Sequence, residues 1–120
     1  MPEKTDAQIM EIVRPLFPPK ALFVNSVDAD GRRVLSVGWR LGASRMENWS
    51  REIRLVLGPK ILERYAKLNE RGRHKAENNL VAFVQLRLSK FNPHHDKPRY
   101  LLPPVELWEP VFEEIFPDVG

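Results

Sequence analysis

The chain contains no cysteine, and this absence removes several kinds of chemistry at once. Without thiols a protein forms no disulfide, no thiolate zinc site and no cysteine nucleophile. The N-terminal stretch PEKTDAQ also lacks the basic region and apolar core of a secretory signal. Both observations are compatible with a reducing compartment, and we expect a cytoplasmic protein.

Long apolar runs and signature motifs are missing as well. No stretch approaches the roughly 20 apolar residues of a membrane span, so we expect no contact with a membrane. The sequence has no glycine-rich phosphate loop, Walker pattern or nucleophile elbow. With neither a catalytic nor a cofactor signature, it predicts a domain that is not an enzyme and binds no cofactor.

The composition that remains is that of an ordinary globular protein. Of 120 residues, 42% are hydrophobic and 29% are charged. A chain of this length buries roughly two thirds of its unfolded surface without disulfides or metals. We therefore expect residues 1–120 to form a single domain.

Residue periodicity predicts a helix, a hairpin and a third strand in the first half of the chain. Apolar residues recur at helical spacing after Asp6, and Pro15 should end that helix. The runs ALFVNSVD and RRVLSVGWRL, separated by a turn at Asp30 and Gly31, predict an antiparallel hairpin. The run WSREIRLVL alternates as a strand does. One face of that strand would carry Trp49, Arg51, Ile53, Leu55 and Leu57.

The second half predicts a helix, a strand and a final helix. The period changes from two to 3.6 at Pro59, and Gly72 should stop the helix that begins there. The run NLVAFVQLRLSKF alternates from Leu80 to Leu88 and predicts a central strand, while RYLL can add a short fifth strand. Apolar spacing from Val105 onward predicts a C-terminal helix. The predicted fold is α+β, an antiparallel four-stranded sheet with helices in the order α-β-β-β-α-β-α.

The predicted second helix carries the most concentrated charge in the sequence. At about 100° per residue, four of its basic side chains fall within an arc of roughly 60°, namely Lys60, Arg64, Lys67 and Arg71. A surface of this kind can contact phosphates, although it can also be a solvated helix face. Nucleic-acid binding is therefore the alternative function. The residues predicted for it are Lys60, Arg64, Lys67, Arg71, Arg73 and Lys75.

The central third of the sequence carries a family resemblance. The stretch WSREIRLVLGPKILERYAKLNERGRHKAENNLVAFVQLRLSKFNP resembles members of small uncharacterised protein families of Burkholderia-type bacteria. The excess of arginine over lysine is typical of a GC-rich genome. This resemblance implies an intracellular bacterial protein of unknown activity, and it supplies no catalytic residue.

The order of the first five predicted elements, α-β-β-β-α, resembles that of double-stranded RNA-binding domains. The resemblance implies that the basic helix would lie at phosphates. This chain has DADGRR where that family has a Gly-Pro-x-His loop, and PKILERYAK where it has a Lys-Lys-x-Ala-Lys run. The likeness therefore concerns the order of elements only.

A loop flanked by prolines contains His94, His95 and Asp96. Imidazole and carboxylate groups bind divalent metals. Neighbouring residues of an extended segment point apart, however, and a dedicated site needs three or four convergent ligands. We therefore expect no metal site.

The C-terminal segment is rich in large apolar side chains. Left free in water, it would expose more contiguous apolar surface than a monomer usually carries. The preferred function is therefore that of a protein-interaction domain, whose partner is another protein or a second copy. Contact would be made through an exposed sheet edge or the C-terminal helix. The residues predicted for that contact are Trp108, Phe112 and Phe116.

Overall fold

The computed structural model describes residues 8–41, 49–93 and 105–117. Residues 8–11 are helical and lead into a 3₁₀ turn at Arg14–Leu16. The strands are β1 (Leu22–Val27), β2 (Arg33–Gly38), β3 (Glu52–Leu57) and β4 (Val105–Trp108). The helices are α1 (Pro59–Lys67), α2 (Glu70–Ser89) and α3 (Phe112–Ile115). The fifth strand predicted at RYLL lies outside the described residues.

The first two strands form the predicted hairpin. They pair antiparallel, with Asn25 opposite Leu35. The turn places Gly31 at φ 79°, a left-handed conformation that glycine adopts without steric cost. The Asp28 Oδ1 accepts the backbone N–H groups of Asp30 and Arg32, both at 2.9 Å, and so closes the turn. Local sequence alone therefore specifies this hairpin.

The predicted third strand is confirmed, and so is its apolar face. β3 pairs antiparallel with β2, and Ile53, Leu55 and Leu57 are all fully buried. The charged residue in the same row, Arg51, is buried with them. Alternation along the strand therefore located a buried arginine as well as the core.

The structure corrects the prediction for the region after β3. α1 ends at Lys67, and a separate helix, α2, follows it. Asn69 caps α2 by accepting the Gly72 N–H at 2.8 Å. Gly72 therefore lies in the first turn of α2 and stops no helix. A Cβ there would come within 3.1 Å of the Leu68 side chain, so the close junction of the two helices accounts for the glycine.

The strand predicted at Leu80–Leu88 is wrong, because this stretch is the second half of α2. The alternating apolar residues are equally compatible with a helix when the residues before them are counted. Ala76, Leu80, Phe83 and Val84, which are buried, follow the spacing i, i+4, i+7, i+8 of one helix face.

The C-terminal helix predicted from Val105 is replaced by a strand and a short helix. β4 pairs with β3 in parallel, with Leu55 opposite Trp108, so the four-stranded sheet is mixed and not purely antiparallel. Parallel neighbours need a long crossover connection, and here it contains α1 and α2. Pro110 follows the strand and confines the remaining helix to Phe112–Ile115.

The described helices pack on one face of a sheet whose order is β1-β2-β3-β4. The core between them joins residues of the inner sheet face with Val13, Tyr65, Leu80 and Val84. The other face of the sheet carries exposed side chains such as Leu22 and Arg54. β1 and β4 are the two edges. None of the described helices is long and apolar enough to cross a bilayer.

Candidate functional site

One face of α2 forms a wall of an open groove of about 680 Å³. Its members recur every three or four residues, as a single helical stripe does. They are Asn79, Ala82, Phe83, Leu86, Arg87 and Lys90. Because five of the six belong to one regular helix and Lys90 is its C-cap residue, this wall is a rigid feature of the fold.

The opposite wall is the edge strand β4. Three consecutive residues, Glu106, Leu107 and Trp108, line the groove. Side chains of a strand alternate between its two faces, so three lining residues in a row place the groove along the strand's edge. Leu86 and Leu107, one from each wall, are both 59% exposed. We call this site the β4–α2 groove.

The outer edge of β4 presents backbone hydrogen-bonding groups to the groove. The Asp28 N–H bonds to the Arg32 carbonyl, and this fixes which residues of each strand face which neighbour. The registers of the three strand pairs then show that Glu52 and Arg54 direct their backbone N–H and C=O groups towards β4. There these groups bond to the backbone of Glu106 and Trp108. The N–H and C=O groups of the alternate residues, Val105 and Leu107, therefore point away from the sheet.

The two ends of the groove differ in charge. Asn79 donates to the Ile115 carbonyl at 2.9 Å, so this end lies near α3 and Glu114. From there α2 runs back along β4 to Arg87 and Lys90 at the other end. The Arg87 guanidinium lies over the Phe83 ring, 4.5 Å from its centroid. The groove is therefore basic where β4 begins and acidic where it ends.

A buried arginine fixes the basic end of the groove. Arg51 is 1% exposed, and its guanidinium donates to the Asn92 carbonyl at 2.7 Å and to Glu106 at 3.3 Å. Glu106 also accepts the Trp108 indole N–H at 2.7 Å. The backbone N–H of Arg51 donates to the Pro93 carbonyl at 2.8 Å. These contacts tie the end of α2 to β3 and β4.

The basic residues predicted to bind nucleic acid do not lie on one helix. Lys60, Arg64 and Lys67 belong to α1, whereas Arg71, Arg73 and Lys75 belong to α2. The guanidinium of Arg73 donates to the Ala66 carbonyl at 2.9 Å and to the Tyr65 carbonyl at 3.3 Å. Arg73 therefore satisfies carbonyls at the C-terminus of α1. Nucleic-acid binding by this set stays a prediction.

The aromatic residues predicted to contact a partner pack within the domain itself. Trp108 is buried against Phe17 and Phe91, with ring centroids 6.5 and 5.9 Å away. Phe116 is also buried, and its ring lies 4.9 Å from that of the half-buried Phe112. Much of their apolar surface is therefore used inside the fold. Trp108 also lines the β4–α2 groove.

The predicted loop with His94, His95 and Asp96 lies outside the described residues. Within residues 8–41, 49–93 and 105–117, no three histidine or acidic side chains converge as a metal site would require. The remaining histidine, His74, is exposed, with its Nδ1 3.9 Å from Glu77 Oε1.

A family model for a protein of unknown function, DUF3022, matches residues 7–101. The matched stretch is most of the chain, from the first helical turn through α2. The chain belongs to the DUF3022 family. This confirms an uncharacterised family, as the resemblance in the central third implied. Searches of curated proteins and of solved structures each find no match.

The DUF3022 chain has a second polar cluster, between α1 and α2. The Tyr65 hydroxyl donates a short hydrogen bond to Glu77 Oε2, which also lies 3.4 Å from Gln8 Nε2. Gln8, Glu77 and His74 line a polar cavity of about 370 Å³. Burial raises the pKa of Tyr65, and the hydrogen bond to Glu77 raises this pKa further. A tyrosine held neutral in this way bridges two helices.

Tyr65 should make the DUF3022 domain sensitive to alkali. Its pKa is higher in the folded state than the unfolded value of 10.0, so its stabilisation is present below pH 10 and lost above it. We expect the free energy of unfolding to fall by up to about 1.4 kcal/mol per pH unit more steeply than in Tyr65→Phe. Urea titrations between pH 9 and 11.5 test this. Parallel curves for the two proteins would contradict it.

Sequence reasoning missed the β4–α2 groove because it assigned both walls to the wrong kind of element. Two signals could have located them. Asn69 is a suitable helix cap, and after Gly72 no glycine or proline interrupts the run into the alternating stretch. The short run VELW lies between Pro104 and Pro110, and Pro110 is poorly placed inside a helix.

Proposed function

We propose that this domain is non-enzymatic and that it binds protein, taking an extended segment of a partner into the β4–α2 groove. The observation that carries the proposal is the row of outward backbone groups at Val105 and Leu107 beside a helical wall. An added strand would satisfy these groups, and its alternate side chains would reach Leu86 and Phe83. Strand addition of this kind needs no cofactor.

The charges of the groove favour one direction for the added segment. β4 runs from the basic end, at Arg87 and Lys90, to the acidic end, at Glu114. A segment lying antiparallel to β4 would have its carboxyl end beside the two basic side chains. The preferred ligand is therefore an extended apolar segment that ends in an acidic residue or a free C-terminal carboxylate.

The sequence left two kinds of partner open, another protein or a second copy. The groove suits an extended segment of another protein, because its basic and acidic ends favour one direction of such a segment over the other. The cysteine-free sequence is compatible with work in the cytoplasm.

Selection from a library of random peptides displayed with free C-termini tests this proposal. We expect enriched peptides with alternating apolar residues and an acidic or C-terminal carboxylate. A synthetic copy of the best peptide, labelled for fluorescence anisotropy, should bind about tenfold or more weakly to Leu107→Pro. That substitution removes an outward N–H and leaves the bonds to β3 in place.

Asn25→Pro is the matched control, since it removes an outward N–H from the other edge of the same sheet. It should leave peptide affinity unchanged. Arg87→Glu with Lys90→Glu should weaken binding of the same peptide, and amidation of the peptide's carboxylate should no longer reduce its affinity for this variant. A library without enriched sequences, or a peptide that binds Leu107→Pro as well as the unaltered protein, would refute the groove.

A further inference from the structure

We infer that the opposite edge of the sheet binds a second copy of this chain, β1 against β1, in an antiparallel pair centred on Asn25. This surface is distinct from the β4–α2 groove, because β1 and β4 lie at opposite edges of the sheet. Its partner is identified by the fit of β1 to itself.

The open edge of β1 has the features of a strand prepared to pair. Asp28 directs its N–H to Arg32, so Leu22, Val24 and Ser26 bond to β2. The alternate residues of the strand present their N–H and C=O groups outward. They are Phe23, Asn25 and Val27.

The residues of β1 do not protect this edge. Natural edge strands are usually blocked by a lysine, another charge, a proline or a bulge. The strand LFVNSV has no charged residue and no proline, and its pairing with β2 is continuous over six residues. Val24 and Val27 are 62% and 58% exposed. A strand of this length whose own residues leave its edge apolar is an aggregation hazard unless the edge is covered.

A two-fold axis at Asn25 matches each residue of β1 with a suitable partner. Asn25 would face Asn25 of the second copy, and their side-chain amides can bond to each other. Phe23 of each copy would face Val27 of the other and cover its exposed side chain. Every outward residue then faces another outward residue, which gives about six backbone hydrogen bonds.

Charge supports the same alignment. Beyond the strand, Lys20 precedes it and Asp30 follows it, and both are exposed. Antiparallel pairing centred on Asn25 brings Lys20 of each copy towards Asp30 of the other, so the attraction occurs twice.

Sliding the axis by one residue is less favourable. Centring on Val24 would set Phe23 against the amide of Asn25. Centring on Ser26 would set Val24 against the carboxylate of Asp28 and Val27 against Asn25. Both alternatives place apolar side chains opposite polar ones, which an antiparallel pair disfavours.

Single-cysteine variants test both the edge and the alignment, because the chain has no cysteine of its own. Cα atoms that face each other in a hydrogen-bonded pair are about 5.5 Å apart, within the range of a disulfide. Asn25→Cys should therefore form a covalent dimer under mild oxidation. In Val24→Cys the two thiols would be displaced along the strands by two residues, beyond about 7 Å, and little cross-linking is expected.

Sedimentation equilibrium supplies the second measurement. We expect a concentration-dependent dimer in the unaltered protein and in Leu107→Pro, and at least about tenfold weaker association in Asn25→Pro. Circular dichroism shows whether each variant is folded, and Val27→Lys serves as a milder change at the same edge. A protein that stays monomeric at millimolar concentration would overturn the proposal. So would a dimer that survives both edge substitutions, or one that cross-links through Val24→Cys but not through Asn25→Cys.

Discussion

Arg51→Met is expected to lower the free energy of unfolding by about 3 kcal/mol, near the low end for breaking a buried ion pair. The guanidinium of Arg51 is buried and holds both Glu106 and the Asn92 carbonyl. Methionine fills a similar volume, but it leaves Glu106 without its cationic partner and the Asn92 carbonyl without the Arg51 donor. Glu106 keeps about a third of its side chain in water, which places the expected loss at the lower end. Urea unfolding at neutral pH measures the difference.

Arg54→Met is the matched control for this prediction. Arg54 lies on the same strand and pairs with Glu52 at 2.6 Å, but both side chains are substantially exposed. An exposed pair of this kind contributes about 0 to 1 kcal/mol. Equal losses for the two variants would contradict the role given to burial at Arg51.

A double variant separates the two causes of the loss at Arg51. Glu106→Gln removes the carboxylate that Arg51→Met leaves unpaired, and a glutamine can still accept the Trp108 indole N–H. The double variant should therefore be more stable than Arg51→Met alone. Because Glu106 lines the groove, a weakened Arg51 contact should also reduce peptide binding there.

Removal of everything after Pro104 is expected to abolish cooperative unfolding. The lost segment supplies β4, which pairs with β3, and the buried side chains of Trp108, Ile115 and Phe116. Truncating a single buried tryptophan to alanine costs about 3 to 5 kcal/mol. Three such losses approach or exceed the whole stability of a small domain, about 5 to 15 kcal/mol. Thermal unfolding followed by near-ultraviolet circular dichroism measures the outcome.

Removal of residues 118–120 alone is the control for the truncation, since it keeps β4 and α3. This shorter deletion should leave the melting temperature within a few degrees of that of the full chain. If the longer truncation also melted cooperatively at the original temperature, the segment would not be part of the core. Sedimentation of both proteins shows whether apolar surface uncovered by the longer deletion causes association.

The hairpin and the third strand follow from local sequence patterns. Both depend on neighbouring residues: Asp28 and Gly31 close the turn, and the alternation along β3 shows which side chains enter the core. The same alternation marked Arg51 as an inward charge. Local signals were enough here because antiparallel strands joined by a short turn meet their partners within a few residues.

The second half of the fold, and with it both walls of the groove, depends on contacts between residues that are distant in the sequence. Leu80 to Leu88 alternates like a strand, yet it continues a helix that Asn69 caps. VELW becomes a strand because β3 offers it a parallel edge across the long crossover through α1 and α2. A parallel partner lies many residues away, so no local pattern identifies it. The open edge and the helix beside it are juxtaposed only when that crossover has folded.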